Sequence, residues 1–255
     1  MDKVLQGKTA IVAGGGQGIG QASALALAQA GAAIVVLDIN DAGLADTANR
    51  IEHAGGRCLP QRCDITRRDQ VDAAIALAAG TFGSVDILFN SAMLIRAKPL
   101  EEQTEADLLD VLKVNLFGPF NAMQACFPYL KQRGGKIINC GSASGTMGVV
   151  LHSTYAAAKE GVRGLTKSAA NEWGQYGINV NAIMPLALTP SARADLGRAG
   201  DLDAQVRQIA SHIPMRRFGD PARDIAPVVV FLASPASDYI SGRSLFVDGG
   251  GGSFL

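Results

Sequence analysis

Uniformly apolar runs and amphipathic stretches alternate along the whole chain. "KTAIVAG" is a short β-rich run that ends in glycines, and "GIGQASALALAQAG" follows with helical composition up to Gly31. "AAIVVLD" is the next buried strand, and "DAGLADTANRIEHAGG" is a helix stopped by Gly55 and Gly56. "RCLPQRCD", "RRDQVDAAIALAAGTFG" and "VDILFNSA" continue the pattern as strand, helix and strand. A long helical region from Thr104 to Arg133 leads to "GKIINCGSAS" as strand. The helix containing "STYAAAKEG" runs to about Tyr176, and "INVNAIMP" is the strand after it. Asp220 and Pro221 start a further helix, the acid as cap and the proline in the first turn. "SLFVDGG" is the last strand. Strands without a polar face, separated by helices, predict an α/β fold: a doubly wound parallel sheet with helices on both faces. No repeat, linker or break in composition divides residues 1–255, which read as one domain. The stretch from Leu186 to about Gly200 is irregular, and residues 186–212 are a candidate substrate loop or lid.

Composition narrows the possible partners. Lys+Arg and Asp+Glu balance at 23 each, which leaves no electrostatic footprint for nucleic acid or an anionic membrane. No apolar run is long enough to span a bilayer, and the start "MDKVLQGKTAIV" lacks the shape of a signal peptide. Cys58, Cys63, Cys126 and Cys140 form no C-x-x-C and have no histidine at ligand spacing, so no metal is expected. They read as reduced, mostly buried thiols of a cytoplasmic protein.

"AGGGQGIG" lies between the first strand and the first helix. Gly14, Gly18 and Gly20 permit a tight turn and close backbone approach to a pyrophosphate at the helix N-terminus, with Gln17 and Ile19 between them. Asp38 ends the second strand about twenty residues later. It is placed either to accept hydrogen bonds from the adenosine ribose hydroxyls or to cap the helix beginning near Asp41. Asp64, followed by Ile65, ends the third strand, either to receive an adenine amino group or to cap the next helix. Tyr155 and Lys159 stand four residues apart in a helix, so that both can reach one ligand. Pro119 has no N–H, which frees the carbonyl of Asn115 and predicts a kink; a water relay or packing alone would account for it.

With these residues the chain resembles the short-chain dehydrogenase/reductase family, in its form of roughly 250 residues, from the glycine turn to "VDGG" at Val247–Gly250. The resemblance implies a Rossmann-type sheet and a site built from Asn115, Ser142, Tyr155 and Lys159, with Ser144 competing for the serine's place. It implies that Tyr155 transfers the proton, that Lys159 lowers its pKa and holds the nicotinamide ribose, and that Ser142 binds the substrate oxygen. It also implies a carbonyl-held water at Asn115. Asn90, Pro185 and Thr189 match positions that face the cofactor. Departures cluster near the nicotinamide: Ala13 for a threonine, Ser91 and Met93 in "NSAM", Leu186 after Pro185, and Thr189 four rather than five residues beyond the proline.

The expected activity is hydride transfer between NAD and a secondary alcohol or ketone. Met93, Ile95, His152, Leu186 and Leu188 suit a mostly apolar small molecule with one polar contact at His152, although a surface position for that histidine is the common alternative. A homodimer or homotetramer would form through the long helices, with Ala156, Ala157, Ala158, Gly161, Gly164, Ala169 and Ala170 permitting close approach. The competing readings are a non-catalytic dinucleotide-binding protein and an NADP-dependent ketoreductase, the latter opposed by Asp38. Enoyl reduction fits less well, because relatives that perform it space the tyrosine and lysine further apart.

Overall fold

The computed structural model describes residues 3–198 and 200–252. The strands are β1 (Thr9–Ala13), β2 (Ala33–Asp38), β3 (Cys58–Arg62), β4 (Ile87–Asn90), β5 (Gly135–Cys140), β6 (Ile178–Pro185) and β7 (Ser244–Val247). They form one parallel sheet in the order β3-β2-β1-β4-β5-β6-β7. Alternate side chains leave opposite faces. Ile11 and Val35 pack with Val71 and Ile75 of α3 (Arg68–Phe82), and with Met123, Cys126 and Leu130 of α5 (Gly118–Arg133). Val12 and Val36 pack on the other side with Ala24 and Leu27 of α1 (Gly18–Gln29), Leu44 and Ile51 of α2 (Asp41–His53), and Val229 and Leu232 of α10 (Ala226–Ala233). This is the doubly wound sheet that the apolar strands predict. Its order reverses between β1 and β4, and in such sheets ligands bind beyond the strand C-termini at that point.

The region from Thr104 to Arg133 is helical but not one α-helix. Helix α4 (Glu105–Leu112) is joined to α5 by a π-helical turn, Lys113–Phe117, in which the Gly118 N–H donates to the Lys113 carbonyl. The irregularity expected at Pro119 is therefore a widened turn. Helix α7 (Ser153–Trp173) ends three residues before Tyr176, the rest being a 3-10 turn. A short α6 (Ser144–Met147) precedes it.

The stretch after Leu186 is not irregular. Helix α8 (Pro190–Arg198) starts at a proline, and the Thr189 hydroxyl accepts from the Ala192 N–H at 3.1 Å. Helix α9 (Leu202–His212) is capped by Asp201, whose carboxylate accepts from the N–H groups of Asp203 and Ala204. Two caps and a first-turn proline start these helices, and Leu202, Val206 and Ile209 recur at helical spacing in α9. Asp220 accepts from Ala222 and Arg223, and a second π-helical turn, Pro221–Ile225, leads into α10. The small residues of α7 are also used differently from expectation. Ala158, Ala169 and Ala170 are buried in the chain's own core, and a Cβ at Gly161 would lie 3.0 Å from Leu116. Ala157 and Gly164 remain exposed.

Candidate active site

The glycine turn is held by contacts that exclude side chains. Gly14 has φ +79°, and a Cβ there would overlap the backbone of Ala92 beyond β4. A Cβ at Gly20 would overlap the Gly14 carbonyl, so α1 presses directly on the turn. The Gly14 N–H donates to the Leu37 carbonyl at 2.7 Å. From α2, the buried Thr47 hydroxyl reaches the carbonyls of Gly15 and Gly43 at 2.9 Å each. Gln21 of α1 donates to Thr47 and to Asp46. The sequence carries no sign of this strap, because Thr47 lies 32 residues from Gly15.

A cleft of about 420 Å³ opens over the turn. Gly14, Gln17, Gly18, Ile19, Asp38, Asp64, Ile65 and Thr189 line it, with Ser91, Met93, Ile95 and Cys140. Asp38 is not a helix cap; Asn40 caps α2 by accepting from the Gly43 N–H. Instead the Asp38 carboxylate accepts from Gly16 N–H at 2.8 Å and Asn40 N–H at 3.0 Å, one on each oxygen. Each oxygen keeps a second acceptor site for a hydroxyl. Asp64 does not cap α3 with its side chain: one oxygen accepts from the Thr66 N–H, while its own N–H donates to Gln70. Thr189 stands over Gly18, where a Cβ would lie 3.6 Å from its side chain.

Gly20, Asn90, Tyr155, Lys159 and Pro185 are not among the lining residues of this cleft. Gly20 is buried under the turn. Asn90 is buried in a polar row in which it donates to Asn139 at 2.8 Å and Asn139 donates to Thr166 at 3.0 Å. The oxygen of its own side-chain amide has no hydrogen-bond partner among the described residues. Pro185 ends β6 beside Val247.

Past Cys140 the chain turns into the catalytic candidates. Lys159 and Tyr155 are 2% and 6% exposed and sit one turn apart on α7. The Lys159 ammonium donates to the Cys140 carbonyl at 2.7 Å and lies 5.5 Å from the centre of the Tyr155 ring. The Ser142 side chain lies close enough to the Tyr155 hydroxyl to act on it. Ser142 also accepts from the Ser144 N–H at 3.1 Å. Behind the tyrosine are Val111 and Ala158. Asn115 in the π-helical turn is fully buried, and its amide donates to the carbonyls of Leu94 and Val111 while accepting from the Leu94 N–H. Its side chain is thus occupied in clamping the cleft wall, and only its main-chain carbonyl is left for a relay.

Burial pushes the Tyr155 hydroxyl well above its ordinary value of 10, with the Ser142 hydrogen bond acting against it. The negative charge that Cys140 would contribute is absent at neutral pH, because burial also raises that thiol. Burial lowers the Lys159 ammonium. Desolvation is the largest cause of the shift on both groups.

The sequence model of a family described as enoyl-(acyl carrier protein) reductase matches residues 13–251. The chain is 39% identical over 258 residues to the 12alpha-hydroxysteroid dehydrogenase of a Clostridium species, covering 98% of both. An NAD+-bound xylitol dehydrogenase superposes with a TM-score of 0.91 at 30% identity over 96% of this chain and 99% of that one. A variant of actinorhodin polyketide ketoreductase with NADPH superposes with a TM-score of 0.93 at 28% identity over the whole of both chains. The chain belongs to the short-chain dehydrogenase/reductase family of oxidoreductases.

Proposed function

We propose that this protein interconverts a secondary alcohol and its ketone with NAD(H), Tyr155 moving the hydroxyl proton. The observation that carries the reading is Tyr155 and Lys159 buried one turn apart on α7, with Lys159 bonded to the Cys140 carbonyl at the end of β5, next to the glycine-lined cleft. The side-chain-free turn and the carboxylate of Asp38 fit a dinucleotide. When bound, NAD supplies the acceptor or donor of hydride. The turn and the α1 N-terminus hold its pyrophosphate, Asp38 accepts from the adenosine ribose, and Thr189 closes over Gly18. Asp64 and Ile65 flank the adenine, Lys159 binds the nicotinamide ribose, and Asn90 and Pro185 complete the cofactor's surroundings. Ser142 donates to the substrate oxygen, Tyr155 gives or takes its proton, and the Asn115 carbonyl holds the water that refills it.

Asp38 supports NAD over NADP, although complexes with both occur among similar structures. A 2′-phosphate would meet its carboxylate. The nearest cations do not answer that charge: Arg62 pairs with Asp41, and Arg67 with Asp69. Repulsion between unit charges about 4 Å apart costs roughly 1–4 kcal/mol. Together with lost hydrogen bonds this predicts a preference of about 100-fold or more in kcat/KM. Measuring both cofactors on one substrate tests this. Asp38→Ala should erase most of the preference, and equal or faster wild-type turnover with NADP would refute the assignment. Tyr155 and Lys159 at four-residue spacing favour carbinol over enoyl chemistry, and the complete set of four catalytic candidates favours turnover over a purely binding role. The four free cysteines support a cytoplasmic setting. Among the described residues no helix is long and apolar enough to cross a membrane.

A further inference from the structure

The turn after β7 joins segments of the site that lie far apart in sequence. The strand ends at Val247, and four glycines follow Asp248. Asp248 is only 6% exposed, and its carboxylate is engaged by its own turn: one oxygen accepts from the Gly250 N–H at 2.9 Å and the other from the Gly252 N–H at 2.7 Å. Gly249 and Gly250 hold φ +64° and +88°, a left-handed path that glycine permits without strain. The folded turn fills a narrow space. The Gly249 carbonyl accepts from the Met215 N–H at 3.1 Å, and a Cβ at Gly249 would lie 3.1 Å from Ile213. A Cβ at Gly251 would lie 3.1 Å from Leu186, and one at Gly252 would lie 3.1 Å from Ala143 and 3.2 Å from Met147. Leu186 precedes α8 and Ile213 follows α9, so the turn touches both stems of that helical pair, while Ala143 is the neighbour of Ser142. None of these residues lines the cleft over the first glycine turn.

We propose that Asp248 is a positioning residue for the substrate: by folding the turn after β7 it wedges the stems of α8 and α9 at a set distance from Ser142. This rests on the alcohol–ketone reading above and adds to it the group that holds the substrate side together. The carboxylate acts through packing and touches no reacting atom. Two N–H hydrogen bonds to an ionised acceptor fix the turn. Three glycines in close contact then transmit its position, since groups packed without free space between them shift together. The cofactor side is built from other segments, namely the turn after β1, Asp38 and Thr189. Loosening the turn after β7 is therefore felt in substrate binding and not in NADH binding.

The test measures KM, kcat and NADH affinity with the best secondary alcohol of a panel, and hydrogen exchange of the α8 and α9 amides as a readout that needs no turnover. Asp248→Ala should raise the substrate KM about 10-fold, with kcat within about threefold and NADH affinity within about twofold of wild type, since displaced positioning groups cost up to about 100-fold. The α8 and α9 amides should exchange about 10-fold faster, and those of the sheet should not change. Asp248→Asn keeps one acceptor and should recover part of both effects. Gly252 has no positive φ, so Gly252→Val leaves the acid and the backbone in place and presses on Ala143 and Met147. It should raise KM in the same way, and it serves where Asp248→Ala does not fold. An unchanged KM in a folded Asp248→Ala, or in Gly252→Val where the first does not fold, would overturn the proposal, as would an equal loss of NADH affinity. Faster exchange in α8 and α9 of the variants, with no turnover of any alcohol by the wild type, would uphold the positioning role and refute the alcohol–ketone reaction. Turnover by the wild type with KM and exchange unchanged in both variants would do the reverse.

Discussion

At Tyr155, burial decides which protonation state is at hand. The hydroxyl is raised above 10, so the phenol stays protonated at neutral pH and is ready to donate during ketone reduction. Alcohol oxidation needs the opposite form. The kcat/KM for oxidation should therefore climb as pH rises from 7 towards 10, while reduction holds across the same range. An oxidation rate flat or falling over that range would contradict the assignment. Tyr155→Phe should lower kcat by at least about 100-fold, within the range for general acid–base groups, with NADH still bound by fluorescence titration. The strap onto the glycine turn gives another residue-scale expectation. Thr47→Val keeps shape and removes the hydroxyl, and a lost hydrogen bond of about 1 kcal/mol weakens NADH binding roughly fivefold. Thr47→Ser should recover it; a Thr47→Val enzyme with unchanged NADH affinity would show that the strap does not shape the turn. The pairing of Tyr155 with Lys159 was legible from their spacing and Asp38 from its strand end, whereas Ser142 came only from the family resemblance. Thr47 and the clamping amide of Asn115 were not legible, since each acts on backbone brought close only by folding.

Helix α4 shows how an element supports the site from behind, through Val111 against Tyr155. Thr104 accepts from the Asp107 N–H, and the Asp107 carboxylate accepts from Thr104 N–H and hydroxyl and from Lys98. This capping box fixes the start of the helical rod that carries Val111 and Asn115. Thr104→Ala should cost about 1 kcal/mol, read as a lower urea midpoint. The Lys98 hydrogen bond and those from Thr104 hold the Asp107 carboxyl down to about 2, below its ordinary 3.8. Its contribution is present above the unfolded value near 3.8 and is lost as pH falls through about 2. The gap in urea midpoint between wild type and Asp107→Asn should thus narrow from pH 5 to pH 2. No gap at pH 7 would show that the box does not stabilise the helix. The proline at 119 announced a break in this rod, but nothing local announced that the Asn115 amide binds Leu94 from another segment. Helices α8 and α9 carry readable signals in the caps Thr189 and Asp201, in Pro190, and in Leu202, Val206 and Ile209 at helical spacing, which the reading of this stretch as irregular passed over.

Across the whole molecule, the apolar strands and intervening helices made the parallel doubly wound sheet legible, and the reversal between β1 and β4 accounts for the cleft's position. What one chain leaves uncovered was less legible. The small residues of α7 were expected to admit a partner helix, yet most pack within the chain. The apolar surface lies instead along the rod of α4, the π-helical turn and α5, where Leu109, Phe117 and Phe120 are 41%, 47% and 42% exposed. Phe117 and Phe120, three residues apart, share a helical face, with Gly164 and Ala157 of α7 also open. Exposed aromatic side chains in such a row mark an interaction surface rather than a solvated one. A second copy of the chain supplies the same surface about a twofold axis, which makes a homodimer or a homotetramer the expected state. Light scattering coupled to size exclusion should give a multiple of 26.4 kDa. Phe120→Glu would place facing charges in the apolar contact and should shift the protein to a smaller species, with the sheet intact by circular dichroism. A monomeric wild type, or an unchanged mass for Phe120→Glu, would show that this face is not where copies meet.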